Sequence, residues 1–233
     1  MGLLIAFSVM GIWAGHLLYC LFLVEVAWTN PWMYLHLLIQ AYLYTGLFIT
    51  GHDAMHQSVS KIKWLNNSIG YASVFLFAGM SYGRLIKNHW EHHKYPGTEK
   101  DPDFYVKSQN FFAWWFMFMV RYTTLWQILA MAVIFNIFKL LMGVEVPALV
   151  AFWIIPAFLG TFQLFYFGTF VPHRKPHTET MGKHRARTLR RNHLWAMLSC
   201  YFFGYHFEHH AYPGTPWWKL YLEKNKSPQR NDH

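Results

Sequence analysis

Two uncharged apolar runs open the chain, 3–24 and 32–51. Each is long enough for the ~20 residues a helix needs to cross the hydrocarbon core of a bilayer. A second pair follows at 122–142 and 147–171, the latter without a single charged residue. The pattern predicts four transmembrane helices. A shorter apolar stretch, 68–83, spans only about 24 Å as a helix. That is too short to cross and return, so it reads as a re-entrant or interfacial helix. The expected fold class is therefore an all-α integral membrane protein with one domain over 1–222, and the polar stretch 223–233 reads as a disordered tail.

Composition agrees with that pattern. Apolar residues make up 54% and charged residues 13%, about half the charged share of an ordinary globular protein. The formal charge of +9 is unevenly placed: residues 1–60 hold no Lys or Arg, 61–100 hold six and 174–191 hold seven. Under the positive-inside rule both basic segments face the cytoplasm, as in a bacterial inner membrane. A charge distributed as a topology signal excludes a nucleic-acid-binding role, which needs a basic face on a soluble fold. The start has no basic region before its apolar run, against a signal peptide, and lacks the Ser or Thr that myristoylation requires. Cys20 and Cys200 form no disulfide framework or CxxC and read as core residues.

The candidate chemistry lies in a repeated decapeptide. HWEHHKYPGT at 89–98 and HFEHHAYPGT at 206–215 agree at eight of ten positions, and GHDAMH at 51–56 adds a third histidine group. His52 and His56 are spaced i, i+4; His89, His92 and His93 are spaced i, i+3, i+4, as are His206, His209 and His210. Each set projects from one helix face, and under the four-crossing count all three emerge on one side of the membrane. Eight imidazoles exceed the four to six ligands one first-row ion takes, so two metals are expected; spacing does not choose among Zn, Cu, Fe and Ni. His173 and His184 are candidates for a further ligand, with Asn192 and His193 in the same basic region. Asp53 is positioned to accept the outer ring N–H of a ligating histidine. Glu91 and Glu208 either do the same or face solvent. Asp101 and Asp103 either form a turn or order the second box. His16 and His36, inside spans, read as helix-packing residues. The tryptophans read as an interfacial belt, with 216–218 anchoring the last box.

The strings GHDAMHQS, AGMSYGRLIKNHWEHH, PGTEKDPDF, FGTFVPHR, HRAR and SCYFFGYHFEHHAYPGTPWWKL resemble the bacterial and cyanobacterial β-carotene ketolases of the membrane fatty-acid-desaturase-like superfamily. The resemblance runs from about residue 45 to 220, with departures at Phe202 and Tyr221, where members carry His and Pro. It implies two Fe ions held by His52, His56, His89, His92, His93, His206, His209 and His210, with Asp53, Asp101 and Asp103 as the carboxylates of the site. It further implies O2 as co-substrate, a ferredoxin-type electron donor, and successive hydroxylations at C4 of a β-ionone ring in lipid-dissolved β-carotene. Two rivals share the same residues: a carotenoid ring hydroxylase or fatty-acid desaturase with another cavity, and, from a different class, a histidine-rich metal transporter.

Overall fold

The computed structural model describes residues 1–227, and these contain helices and loops without a strand. Helix α1 (Gly2–Leu23) and helix α2 (Pro31–Met55) form an antiparallel pair. Asn30 caps α2 by accepting from the Trp32 N–H, and Pro31 sits at the first helical position, where its missing donor costs nothing. Helix α2 lies at the centre of the bundle, against α1, α3 (Lys63–Ala78) and the long helix α7 (Val146–His173). Gly160 of α7 lets it approach α2 closely. A Cβ there would stand 3.2 Å from the Tyr44 Cβ and 3.4 Å from the Ala41 carbonyl, the small-residue contact by which helices associate in lipid.

Three helices, α1, α2 and α7, are long and apolar enough to cross a membrane by themselves. Two bent pairs raise the number to five if each counts as one span. The first pair, α3 and α4 (Tyr82–Lys94), turns by 99°. The stretch expected as one re-entrant piece over 68–83 is thus the end of one helix and the start of another. The break falls at Gly79, whose left-handed φ of 65° closes α3 at a position that glycine adopts without strain. The second pair, α5 (Phe111–Tyr122) and α6 (Leu125–Leu141), turns by 84°. The helix expected at 122–142 therefore begins at Leu125, and α5 is an addition. Thr124 caps the new start by accepting from the Gln127 N–H.

Helix α7 contains two wide π-helical turns, Val150–Ile154 and Tyr166–Phe170. Each ends two residues before a proline, Pro156 and Pro172. Proline lacks an N–H and its ring collides with the carbonyl four residues earlier, and a widened turn accommodates both. Three short helices finish the chain: α8 (His193–Cys200), α9 (His206–Ala211) and α10 (Leu220–Lys226). Helix α10 corrects the tail expected over 223–233. Its Lys224 is buried at 4% exposure, held from below by α9, while 228–233 lie outside the described residues.

Candidate metal centre

The ends of α2, α4, α7 and α9 meet at one pole of the bundle, and each brings histidines. The last turn of α2 carries His52, with His56 just beyond it. The last two turns of α4 carry His89, His92 and His93, α7 ends on His173, and α9 carries His206, His209 and His210. They sort into two groups of four whose donor atoms lie within 4.8 Å of one another: His52, His56, His89 and His209, and His92, His173, His206 and His210. The second and third boxes are thus each divided between the two groups. His93 lies between them, its Nε2 3.0 Å from that of His209 and its ring stacked 4.2 Å from His210.

These nitrogens point at one another. Nε2 of His56 is 2.6 Å from Nε2 of His89, and Nε2 of His210 is 3.1 Å from those of both His92 and His206. Nε2 of His210 would need two partners at once, and an imidazole nitrogen offers one proton or one lone pair. The other ring nitrogens fix the tautomers. His173 Nδ1 donates to the Arg185 carbonyl at 2.9 Å, and His92 Nδ1 donates to Asp101 Oδ1 at 3.0 Å. Each is left with a bare Nε2, and that of His173 is buried with no protein partner. Both ring nitrogens of His52 are likewise buried and unpaired. Converging, desolvated imidazoles, two of them with the outer N–H held by oxygen and others with buried nitrogens left unpaired, are a donor set that suits a pair of transition-metal cations, so the residues fit two metals.

The acidic residues hold this set from outside. Asp101, 2% exposed, also accepts the Gly97 N–H at 2.7 Å and the Asp103 N–H at 2.8 Å. Burial raises its carboxyl, but His92, His173 and the Gly97 N–H together outweigh burial and hold the group below its ordinary range. Asp103, pushed up to about 6 by burial, sits 3.8 Å from His92 Nδ1 and accepts the Tyr122 hydroxyl. Thus both aspartates belong to the turn, and Asp101 is the one that hydrogen-bonds the second box. Asp53 does something different from what its place beside His52 suggests. Its Oδ1 stands 3.7 Å from His52 Nδ1, beyond hydrogen-bond range, while Oδ2 accepts the Trp217 N–H at 3.0 Å. The Trp217 side chain is buried, its ring 5.1 Å from that of Tyr201.

Other expectations separate in the same way. His184 stands at the rim, its ring 5.8 Å from that of His210 and outside both groups of four. His193 bonds the Tyr205 hydroxyl and Asn225, and Asn192 caps α8, both away from the metals. Glu91 is solvated. Glu208 neither faces solvent nor touches a ring nitrogen: wholly buried, it accepts the Thr188 hydroxyl at 2.6 Å and pairs with Lys224 at 3.3 Å. Phe202 and Tyr221, the two departures from the resemblance, pack against each other at 5.9 Å. The sequence reading missed Lys224, hidden in a polar tail, and Arg187, whose guanidinium donates to the carbonyls of Arg174 and Pro176 and so ties down the chain beyond His173. The HRAR string was the only signal of the latter.

A cavity opens beside the histidines, counting about 850 Å³ of unfilled space with its mouth. His52 and His89 of one group and His92 and His206 of the other form part of its wall. The remainder is largely aromatic and aliphatic, including Phe48, Phe77, Phe118, Phe165 and Phe203.

The sequence profile of the family described as Fatty acid desaturase matches residues 29–139 and 121–226. Zeaxanthin 4-ketolase of Chlamydomonas reinhardtii is 38% identical over 94% of this chain and 52% of its own length. Beta-carotene ketolase of Haematococcus lacustris is 38% identical over 78% of this chain and 59% of its own. For beta-carotene ketolase of Paracoccus sp. (strain PC1) the identity is 39%, over 77% and 74%. The chain thus spans little more than half the length of the two algal relatives. No solved structure matches. With helices, histidine groups and profile match in agreement over most of its length, the chain belongs to the fatty acid desaturase family.

Proposed function

We propose that the protein is a membrane oxygenase that converts the C4 methylene of a β-ionone ring of β-carotene to a ketone. The observation that supports this reading best is the cavity: one wall presents imidazoles from both metal groups, and the rest offers hydrocarbon-binding surface. A lipid-dissolved polyene needs that combination, with a reactive pole and an apolar sleeve whose aromatic side chains exclude water from the ring end. The kinship with ketolases chooses the reaction. A fatty-acid desaturase or a ring hydroxylase would use the same pole.

Two irons, held by His52, His56, His89 and His209 and by His92, His173, His206 and His210, would supply the reductive activation of O2 that an unactivated C–H bond requires. Each round uses one O2, two electrons and two protons, inserts one oxygen into the C–H bond and releases one water. The first round gives the C4 alcohol. The second gives a geminal diol, which loses water to leave the carbonyl. The protein's own groups orient these events. Phe203, whose ring lies 4.8 Å from His52 and 5.2 Å from His206, limits how closely the substrate ring approaches. Asp101 keeps the outer proton of His92 on Nδ1. The basic segments at 61–100 and 174–191 support a cytoplasmic position for this pole under the positive-inside rule and would offer a docking surface to an acidic ferredoxin-type donor.

Expression in β-carotene-producing bacteria tests the proposal. Echinenone and canthaxanthin are expected. Only 3-hydroxylated carotenoids, or unchanged β-carotene beside stably inserted, metal-loaded protein, would refute it.

A further inference from the structure

A second cluster of metal-ligating side chains lies far from the histidine pole. His16 and Cys20, one turn apart on α1, face His36 on α2, and their donor atoms lie within 4.8 Å of one another. His16 is seven residues from the far end of α1 and His36 five from the far end of α2, a depth of roughly 8–10 Å below the opposite surface. None of the chemistry at the histidine pole uses them.

Within this cluster the thiol has no single acceptor. His16 Nδ1 lies 2.6 Å from Gln40 Oε1; the amide oxygen accepts, so Nδ1 carries the proton and Nε2 is bare. The His36 Nδ1 reaches that lone pair at 3.2 Å, while Cys20 Sγ lies beside the ring, 3.7 Å from Nε2 and 3.8 Å from Nδ1. A single cation at their centre satisfies all three. With metal–nitrogen bonds of about 2.0 Å and a metal–sulfur bond of about 2.3 Å, ligand atoms around a trigonal or tetrahedral ion stand about 3.3–3.8 Å apart. The two separations from His16 Nε2, 3.2 and 3.7 Å, are close to those edges, and the third lies within 4.8 Å. Gln40, buried at 0% exposure, orients the ligand from outside as partners of metal-bound histidines do.

Charge selects the ion. At this depth a net charge is expensive, and two neutral imidazoles with one thiolate contribute a single negative charge. A monovalent ion leaves the complex neutral, whereas a divalent one leaves it positive. Thiolate with imidazole in a trigonal set is also a preferred copper environment. We infer that His16, Cys20 and His36 form a mononuclear copper(I) site clasping α1 to α2 in the far half of the bilayer. The clasp has structural value: only 22% of the apolar window of α1 is buried inside the protein, and helices in lipid have no hydrophobic drive to associate. The inference is independent of the carotenoid reading.

The test uses the iron-loaded protein in lipid nanodiscs, anaerobic, equilibrated with copper(I) against a soluble copper(I) chelator. Wild type should retain one copper per chain, with a sulfur neighbour in its X-ray absorption spectrum; the histidine pole has no thiol to provide one. Cys20→Ser and His36→Ala should lower the apparent affinity at least tenfold, and Cys200→Ser should leave it unchanged. Iron measured in the same samples separates loss of the clasp from misfolding. Wild-type copper without a sulfur neighbour, no copper retained, or equal retention by wild type and Cys20→Ser would overturn the inference. The wild-type spectrum decides even if the variants fail to insert.

Discussion

Replacing Lys224 with methionine keeps the length and apolar stem of the side chain and removes only its ammonium. That group lies 3.3 Å from Glu208 Oε1 and 3.0 Å from Thr188 Oγ1, and the Glu208 side chain is fully buried between His206 and His209 of α9. Without it, a carboxylate stays behind with one hydroxyl donor and no counter-charge. Deleting one member of a buried pair costs about 3–5 kcal/mol, because the remaining charge is stranded. For a chain of this size each kcal/mol moves the midpoint by about 2–4 °C, so the melting temperature in detergent should fall by about 6–20 °C. Helix α9 supplies a donor to one metal group and two to the other, so retained metal should fall with it. The double variant K224M/E208Q removes the stranded charge and should recover much of the loss. A fall of less than about 2 °C with metal content unchanged, or a double variant no better than the single one, would show that this pair does not hold the third box.

Three further expectations follow from single contacts. Gly168→Ala places a Cβ 2.1 Å from Phe203 Cε1, and Phe203 is wedged against His52 and His206. Overpacking of about 1–3 kcal/mol and loss of ketone formation are expected, read as carotenoid product per unit of inserted protein, whereas Gly11→Ala, with no neighbour within 4 Å of its Cβ, should behave as wild type. Asp101→Asn removes the anionic acceptor of the His92 Nδ1–H and should weaken one metal about 10–100-fold, seen as faster loss of one of two metal equivalents to a chelator; equal retention would contradict its assignment. Metal analysis should also separate the two extra histidines, since His173→Ala is expected to lose metal and His184→Ala to retain it.

The box histidines were legible because a helix imposes its period on any residue that must face one way. Their spacing marked all eight, and the structure brings all eight together. The partition between two groups was not legible. His89 and His92 share a face of α4, yet the groups stand side by side across that face, and only the approach of α9 decides which nitrogen meets which. The same limit hid Lys224. Seen locally it belongs to a charged tail, and its burial follows from α10 folding back over α9. The bend at 79–81 had a local signal in Gly79, but a continuous apolar run on both sides outweighed it. At Asp53 the sequence showed only the neighbouring histidine, because its other contact, the Trp217 N–H, reaches it from 164 residues away in sequence.

His173 shows how such a ligand is delivered. Between the cavity-lining Leu164 and this histidine, α7 widens into the π turn at Tyr166–Phe170. An extra residue in one turn rotates everything beyond it by about 100° relative to a regular helix. Continued regularly, α7 would aim position 173 away from His92, His206 and His210. With the wide turn, Gly168 and Thr169 face the cavity and His173 faces the metal group. Hydrophobic periodicity cannot register that shift, because α7 is apolar on nearly every side. Pro172, which forbids a regular hydrogen bond at that point, is the one residue through which the sequence expresses it.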